Sequence, residues 1–110
     1  MRGLPVTNPL GNYMTETQFA ETVIALAQWH KWKAVHFRPA RTKQGWRTAM
    51  TGDRGFVDLV LARNGVVLHV ELKRQDGVMR AGQKEWGEAI GDTYRLWRPS
   101  DLEAIREELR

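Results

Sequence analysis

Phe56-Val57-Asp58-Leu59-Val60-Leu61-Ala62 and Val66-Val67-Leu68-His69-Val70-Glu71-Leu72-Lys73, joined through Arg63-Asn64-Gly65, decide how this chain folds. Each run has the apolar, β-branched content of a strand. An Asn-Gly pair between two such runs is a strong hairpin signal, because both central residues of a type I′ turn need positive φ. With Asn64 and Gly65 as the loop, Arg63 faces Val66 and paired residue numbers sum to 129. Asp58 then lies directly opposite Glu71.

Side chains alternate along a strand, so Glu71 and Lys73 share one face and Asp58 joins them. The other face carries Val57, Leu59, Leu61, Val66, Leu68, Val70 and Leu72, all apolar, and is the core side. Opposed Cβ atoms lie about 4.5–5.5 Å apart, and like charges so placed destabilise a sheet. A bound divalent cation turns that repulsion into attraction and uses both carboxylates as hard oxygen ligands. The bland alternative is a chance acidic pair on a solvated face.

Outward from the hairpin, Thr15 and Gln18 form a capping-box pattern that opens a helix over 16–30. Phe19, Ala20, Val23, Leu26 and Ala27 make its apolar stripe. At about 100° per residue, Glu16 projects into that stripe and Glu21 points away. Glu16 is therefore either a carboxylate aimed inward or a first-turn residue favouring the helix dipole. Residues 33–38 read as a short strand ended by Pro39. Residues 39–55 then form a long polar connection, a kind of segment that is often functional. In and beside it, Arg38, Arg41, Lys43, Arg47 and Arg54 stand against Asp53 alone, with Trp46 among them. Such cations neutralise phosphates and an aromatic stacks on bases; a solvated loop with Trp46 tucked onto the core is the alternative.

After the hairpin come a polar loop over 74–79, a helix over 80–90, a strand over 93–98 and, from a Ser100–Glu103 capping box, a final helix through Ile105 and Leu109. Gly82 and Gly87 weaken the 80–90 helix by roughly 1 kcal/mol each relative to Ala, so packing must hold it. The layout is an irregular arm over 1–14 and a single domain over 15–110.

The 110 residues are 42% hydrophobic and 27% charged, an ordinary globular composition. With no cysteine there is neither a disulfide framework nor a thiolate metal site, which suits a reducing, cytoplasmic setting. No stretch is long and apolar enough for a signal peptide or a membrane span. A net charge of +4 favours a polyanionic partner, nucleic acid above all. His30, His36 and His69 have no metal-binding spacing; His69 shares the face of Glu71, two residues away.

The order helix with Glu, strand, strand with Asp, strand with Glu-x-Lys and helix with Gln resembles the PD-(D/E)XK nuclease superfamily, more closely its VRR-NUC (virus-type replication-repair nuclease) branch. The resemblance spans roughly 15–110. It rests on Gly55-Phe56-Val57-Asp58-Leu59-Val60, Val70-Glu71-Leu72-Lys73-Arg74, Gln83-Lys84-Glu85-Trp86 and Trp97-Arg98-Pro99-Ser100-Asp101, in order. It implies an α/β fold with a restriction-endonuclease-like core, a central mixed sheet flanked by helices in the order α-β-β-β-α-β-α. Asp58, Glu71 and the Leu72 carbonyl would ligate Mg²⁺ or Mn²⁺, and Lys73 would position the attacking water. Glu16 would complete the acidic cluster and Gln83 would support the site. Departures are Val57 where the family has proline, Gly82 in place of a better helix former, and a short step from Ile90 to Thr93. The implied activity is a metal-dependent endonuclease acting on branched, flap or four-way DNA in replication, repair or recombination, here as a homodimer of a small chain. A catalytically inactive DNA-binding module of the same fold is the alternative. A sequence-specific restriction enzyme ranks below both, since the chain lacks room for a recognition domain.

Overall fold

The computed structural model describes residues 13–47 and 49–110; for residues 40, 46 and 47 the description covers the backbone alone. The arm expected over 1–14 lies outside the described residues apart from Tyr13 and Met14. In chain order the elements are α1 (Glu16–Trp29), β1 (Lys33–His36), β2 (Ala40–Thr42), β3 (Gly45–Arg47), β4 (Leu59–Arg63), β5 (Val66–Leu72), α2 (Ala81–Ile90), β6 (Tyr94–Trp97) and α3 (Leu102–Leu109), with 3₁₀ turns at Gly91–Thr93 and Pro99–Asp101.

Asn64 (φ 53°) and Gly65 (φ 82°) both take the positive φ that a primed turn requires. The strands pair as the turn dictates, from Arg63↔Val66 to Leu59↔Val70. A mixed sheet of order β1-β4-β5-β6 results, in which only β5 and β6 run parallel. That parallel pair needs a crossover, which α2 supplies. The fold is thus α/β, a four-stranded mixed sheet with three helices.

One sheet face takes α1 and α3. Phe19, Val23 and Ala27 of α1 and Ile105 and Leu109 of α3 are fully buried against Leu59, Leu61, Leu68, Val70 and Leu72. Burial of each large side chain there contributes roughly 1.5–3 kcal/mol. The Thr15–Gln18 capping box forms, at 3.1 Å from Gln18 N to Thr15 Oγ1 and 3.0 Å from Thr15 N to Gln18 Oε1. Arg63 ties α3 to the sheet by donating to the carbonyls of His30 (2.8 Å) and Leu109 (3.0 Å) while stacking on Trp32.

Five expectations need correction. Residues 39–55 are not wholly irregular: β2 and β3 form a separate hairpin, with Ala40↔Arg47, Arg41↔Trp46 and Thr42↔Gly45 paired. Its turn is closed by Thr42 Oγ1 donating to the Gly45 carbonyl at 2.7 Å. The strand expected over 56–62 begins at Leu59. Asp58 is not in the ladder, and Val66, expected in the core, is half exposed. The Ser100–Glu103 box is not made. Asp101 Oδ2 accepts the Arg98 N–H at 2.8 Å instead, and Ser100 N donates to Gln75 Oε1.

Candidate metal centre

Val70 pairs with Leu59, and its carbonyl also accepts the N–H of Asp58 at 3.1 Å. Two residues of one strand thus meet one of its neighbour, which is a β-bulge. Asp58 is therefore not directly opposite Glu71, as strict alternation predicts. Its own carbonyl accepts the Phe37 N–H at 2.8 Å, and its carboxylate Oδ2 accepts the Leu72 N–H at 2.9 Å. A side chain thus takes the place of a ladder bond. The extra residue also changes the alternation upstream: Val57 is buried but stands outside the main core, along the groove beside α2.

The acids nevertheless converge. Glu71 is 1% exposed, the sole buried charged residue among those described. Its Oε2 accepts Gln83 Nε2 at 2.8 Å and lies 3.9 Å from Lys73 Nζ. Its Oε1 is buried with no hydrogen-bond partner among the described residues. Burial, then the neighbouring Asp58 carboxylate, push the Glu71 carboxyl up to about 8, with Lys73 opposing the rise. A buried carboxylate that prefers its proton beside a second carboxylate is what like charges produce at short range.

Gln83 has its amide orientation fixed from the other side. Its Oε1 accepts the Arg80 N–H at 2.9 Å, so Nε2 must face Glu71. Reaching that position depends on two glycines. A Cβ on Gly82 would stand 2.9 Å from the Arg54 carbonyl oxygen, and one on Gly55 (φ 95°) would stand 2.6 Å from the Gly82 carbonyl carbon. The Gly82 that looked like a poor helix residue permits this approach.

Glu16 reaches the site from α1. It is exposed rather than buried in the apolar stripe, and it lines a cavity of about 560 Å³ together with Asp58, His36 and Leu72. Burial and the Asp58 charge hold its carboxyl above the usual range. Glu21, expected to point away, also lines that cavity, as does Arg38. The sequence gives His36 no metal-binding spacing. Only the sheet register, which sets it opposite Leu59 beside Asp58, reveals its place. Burial lowers its pKa against the pull of Asp58. Tyr94 was also missed: its hydroxyl is buried without a partner among the described residues, and burial, Glu71 and Asp58 raise its pKa. His69 instead bonds Thr93 Oγ1 through Nδ1 at 3.0 Å.

Among the expected nucleic-acid contacts, Arg54 lines a second cavity beside α2, while Arg41 and Lys43 sit on the β2–β3 hairpin and line neither. The side chains of Trp46 and Arg47 lie outside the described residues.

The donor set suits a hard cation. Among the described residues no three His, Asp or Glu side chains gather closely enough to hold a metal unaided. Asp58 and Glu71 offer two carboxylates, one with an oxygen that has no donor among the described residues. Mg²⁺ is commonly held in this way, by one or two carboxylates with waters and substrate phosphates filling the remaining positions. Of the Leu72 backbone, the N–H is engaged by Asp58. No helix among the described residues is long and apolar enough to cross a membrane. Set against known proteins, the chain matches no family model, no curated protein and no solved structure.

Proposed function

We propose that this protein is a divalent-metal-dependent DNA endonuclease of the PD-(D/E)XK type, in the VRR-NUC branch, cutting phosphodiester bonds in branched DNA as a homodimer. One observation supports the reading above the rest. Glu71 is held buried beside Asp58 with Oε1 lacking a donor among the described residues, next to a lysine 3.9 Å away. Ionising Glu71 there, against a second carboxylate and out of water, costs stability that a bound divalent cation would offset. The element order α-β-β-β-α-β-α, with the β2–β3 hairpin inserted, agrees with the implied core.

Asp58 and Glu71 would hold Mg²⁺ or Mn²⁺, and carboxylates favour these hard ions over Zn²⁺. What the ion supplies when bound is a more acidic water and withdrawal of charge from the phosphate oxygens. Gln83 holds Oε2 of Glu71 from one side and would leave Oε1 for the ion. The Leu72 N–H does the same for Asp58. Lys73, 3.9 Å from Glu71, would orient the attacking water and neutralise charge building on the phosphate. Glu16, which lines the same cavity as Asp58, would add a further carboxylate.

The test is incubation with labelled linear, flap, fork and four-way DNA, with Mg²⁺, Mn²⁺ or a chelator. Chelator-sensitive incision that Asp58→Asn abolishes, with DNA binding retained, is the expected result. DNA binding with no incision of any substrate under either metal overturns the reading and leaves the inactive module.

A further inference from the structure

The sheet face away from α1 carries a groove of about 1050 Å³ between α2 and residues 49–57. Asp58 and Gln83 are among its lining residues, so it adjoins the candidate metal centre. Its floor is apolar: Phe56 is half-buried and Val57 is 2% exposed. Phe56 meets Trp86 edge-on at 4.9 Å between centroids and Phe37 at 5.9 Å, so the three rings form one aromatic wall. Trp86 is fixed by donating Nε1 to the Asp53 carbonyl at 3.2 Å. Phe37 (41% exposed) and Met50 (44%) present apolar edges to solvent. Arg54 and Arg80 are exposed along the same groove.

We propose that this groove is a channel for an unpaired DNA strand next to the scissile phosphate, with bases against the aromatic wall and phosphates toward Arg54 and Arg80. The proposal rests on the nuclease reading of the adjoining site and adds what that reading leaves open, namely which part of a branched substrate lies beside the cut. The division of chemistry within the groove decides the occupant. A duplex offers its surroundings phosphates, which need cations at the point of closest approach. Here the more buried lining is apolar, Val57 with the half-buried rings of Phe56 and Trp86, and the cations are exposed, the reverse of a duplex-binding floor. A single strand has splayed bases that stack on aromatic rings without regard to sequence, while its backbone follows a basic edge.

Binding is measured by fluorescence anisotropy in Ca²⁺ on two probes, a blunt duplex and the same duplex with a ten-nucleotide dT arm. Stacking strengthens binding by about tenfold for each base engaged. Wild type is therefore expected to prefer the armed probe by about tenfold or more. Phe37→Ala and Met50→Ser, each checked for an unchanged melting temperature, should remove most of that preference and leave blunt-duplex binding as it was. Equal affinity of wild type for both probes overturns the proposal. So does a preference that survives in both folded variants. Metal-dependent incision by wild type, followed in parallel, separates the two ideas. Incision without arm preference defeats the channel alone, whereas arm preference without incision defeats the nuclease reading and leaves the channel standing.

Discussion

Glu71 shows how one residue can be legible in type and illegible in state. The Glu-x-Lys spacing announces a carboxylate beside an ammonium, and an ion pair between them would ordinarily lower a carboxyl pKa. Burial and Asp58 outweigh Lys73, and the group is pushed up to about 8 from 4.5. Linkage fixes the sign. Between those values the folded protein keeps a proton that the unfolded chain has released. Its stabilising effect is full below about 4.5 and lost as pH rises through about 8. Metal-free protein should therefore melt lower at pH 8 than at pH 5. About 1 kcal/mol moves a domain of this size by roughly 4–8 °C. His36, with its pKa lowered, contributes the opposite slope, so the comparison is with Glu71→Gln, which keeps His36 intact. That variant should show a flatter pH dependence and a higher metal-free melting temperature at pH 8. Mg²⁺ should stabilise wild type more at pH 8 than at pH 5 and the variant at neither. Incision by the variant should fall on the order of a hundredfold or more. Thermal melts across pH with and without Mg²⁺ check all of this; a wild type that melts higher at pH 8 without metal contradicts the assignment.

Among the elements, the β4–β5 hairpin was readable because a two-residue loop leaves a single register once both φ values are positive. The bulge at Asp58 was not. Phe56-Val57-Asp58-Leu59 continues an unbroken strand pattern, and the extra residue is set by a long-range bond from Leu72 N–H to the Asp58 carboxylate. The β2–β3 hairpin was hidden by its charge. Thr42-Lys43-Gln44-Gly45 carries a turn signal, but the cations around it read more strongly as a binding loop. The sequence marks where helix α2 lies but not why it carries two glycines. Helix propensity favours Gly82→Ala by about 1 kcal/mol. The added Cβ, however, meets the Arg54 carbonyl oxygen at 2.9 Å, where backbone must move. The clash should win: Gly82→Ala is expected to melt lower than wild type and to lose metal-dependent incision several-fold, as Gln83 shifts from Glu71. A Gly82→Ala protein that is both more stable and fully active would show that the close approach positions nothing. Gly87 follows the same logic, since a Cβ there meets the Tyr94 ring at 2.9 Å.

For the whole molecule, the order of the main elements could be read because each is short, bounded by turn residues and patterned by its own period. What covers each face could not, since that depends on which residues the bulge and the α2 glycines bring together. The same limit applies to assembly. Each copy carries one acidic cluster, built on Asp58 and Glu71, within a chain of 12.7 kDa. Resolving a four-way junction requires two incisions on opposed strands, so the proposed activity needs two copies related by symmetry, most simply a closed two-fold dimer. Sedimentation at protein concentrations on the order of tens of micromolar should return a mass near twice that of the chain, since assembly follows mass action. Mixing supplies the sharper measurement. Asp58→Asn chains exchanged into wild-type dimers leave one competent site per mixed dimer. On a supercoiled plasmid that extrudes a cruciform, wild type should give mainly linear product, and the mixture should shift toward nicked circles as the variant fraction rises. Two independent monomers would lose both products in proportion to dilution, with their ratio unchanged. That outcome, together with a monomer mass by sedimentation, would exclude paired incision while leaving single-site cleavage of branched DNA intact.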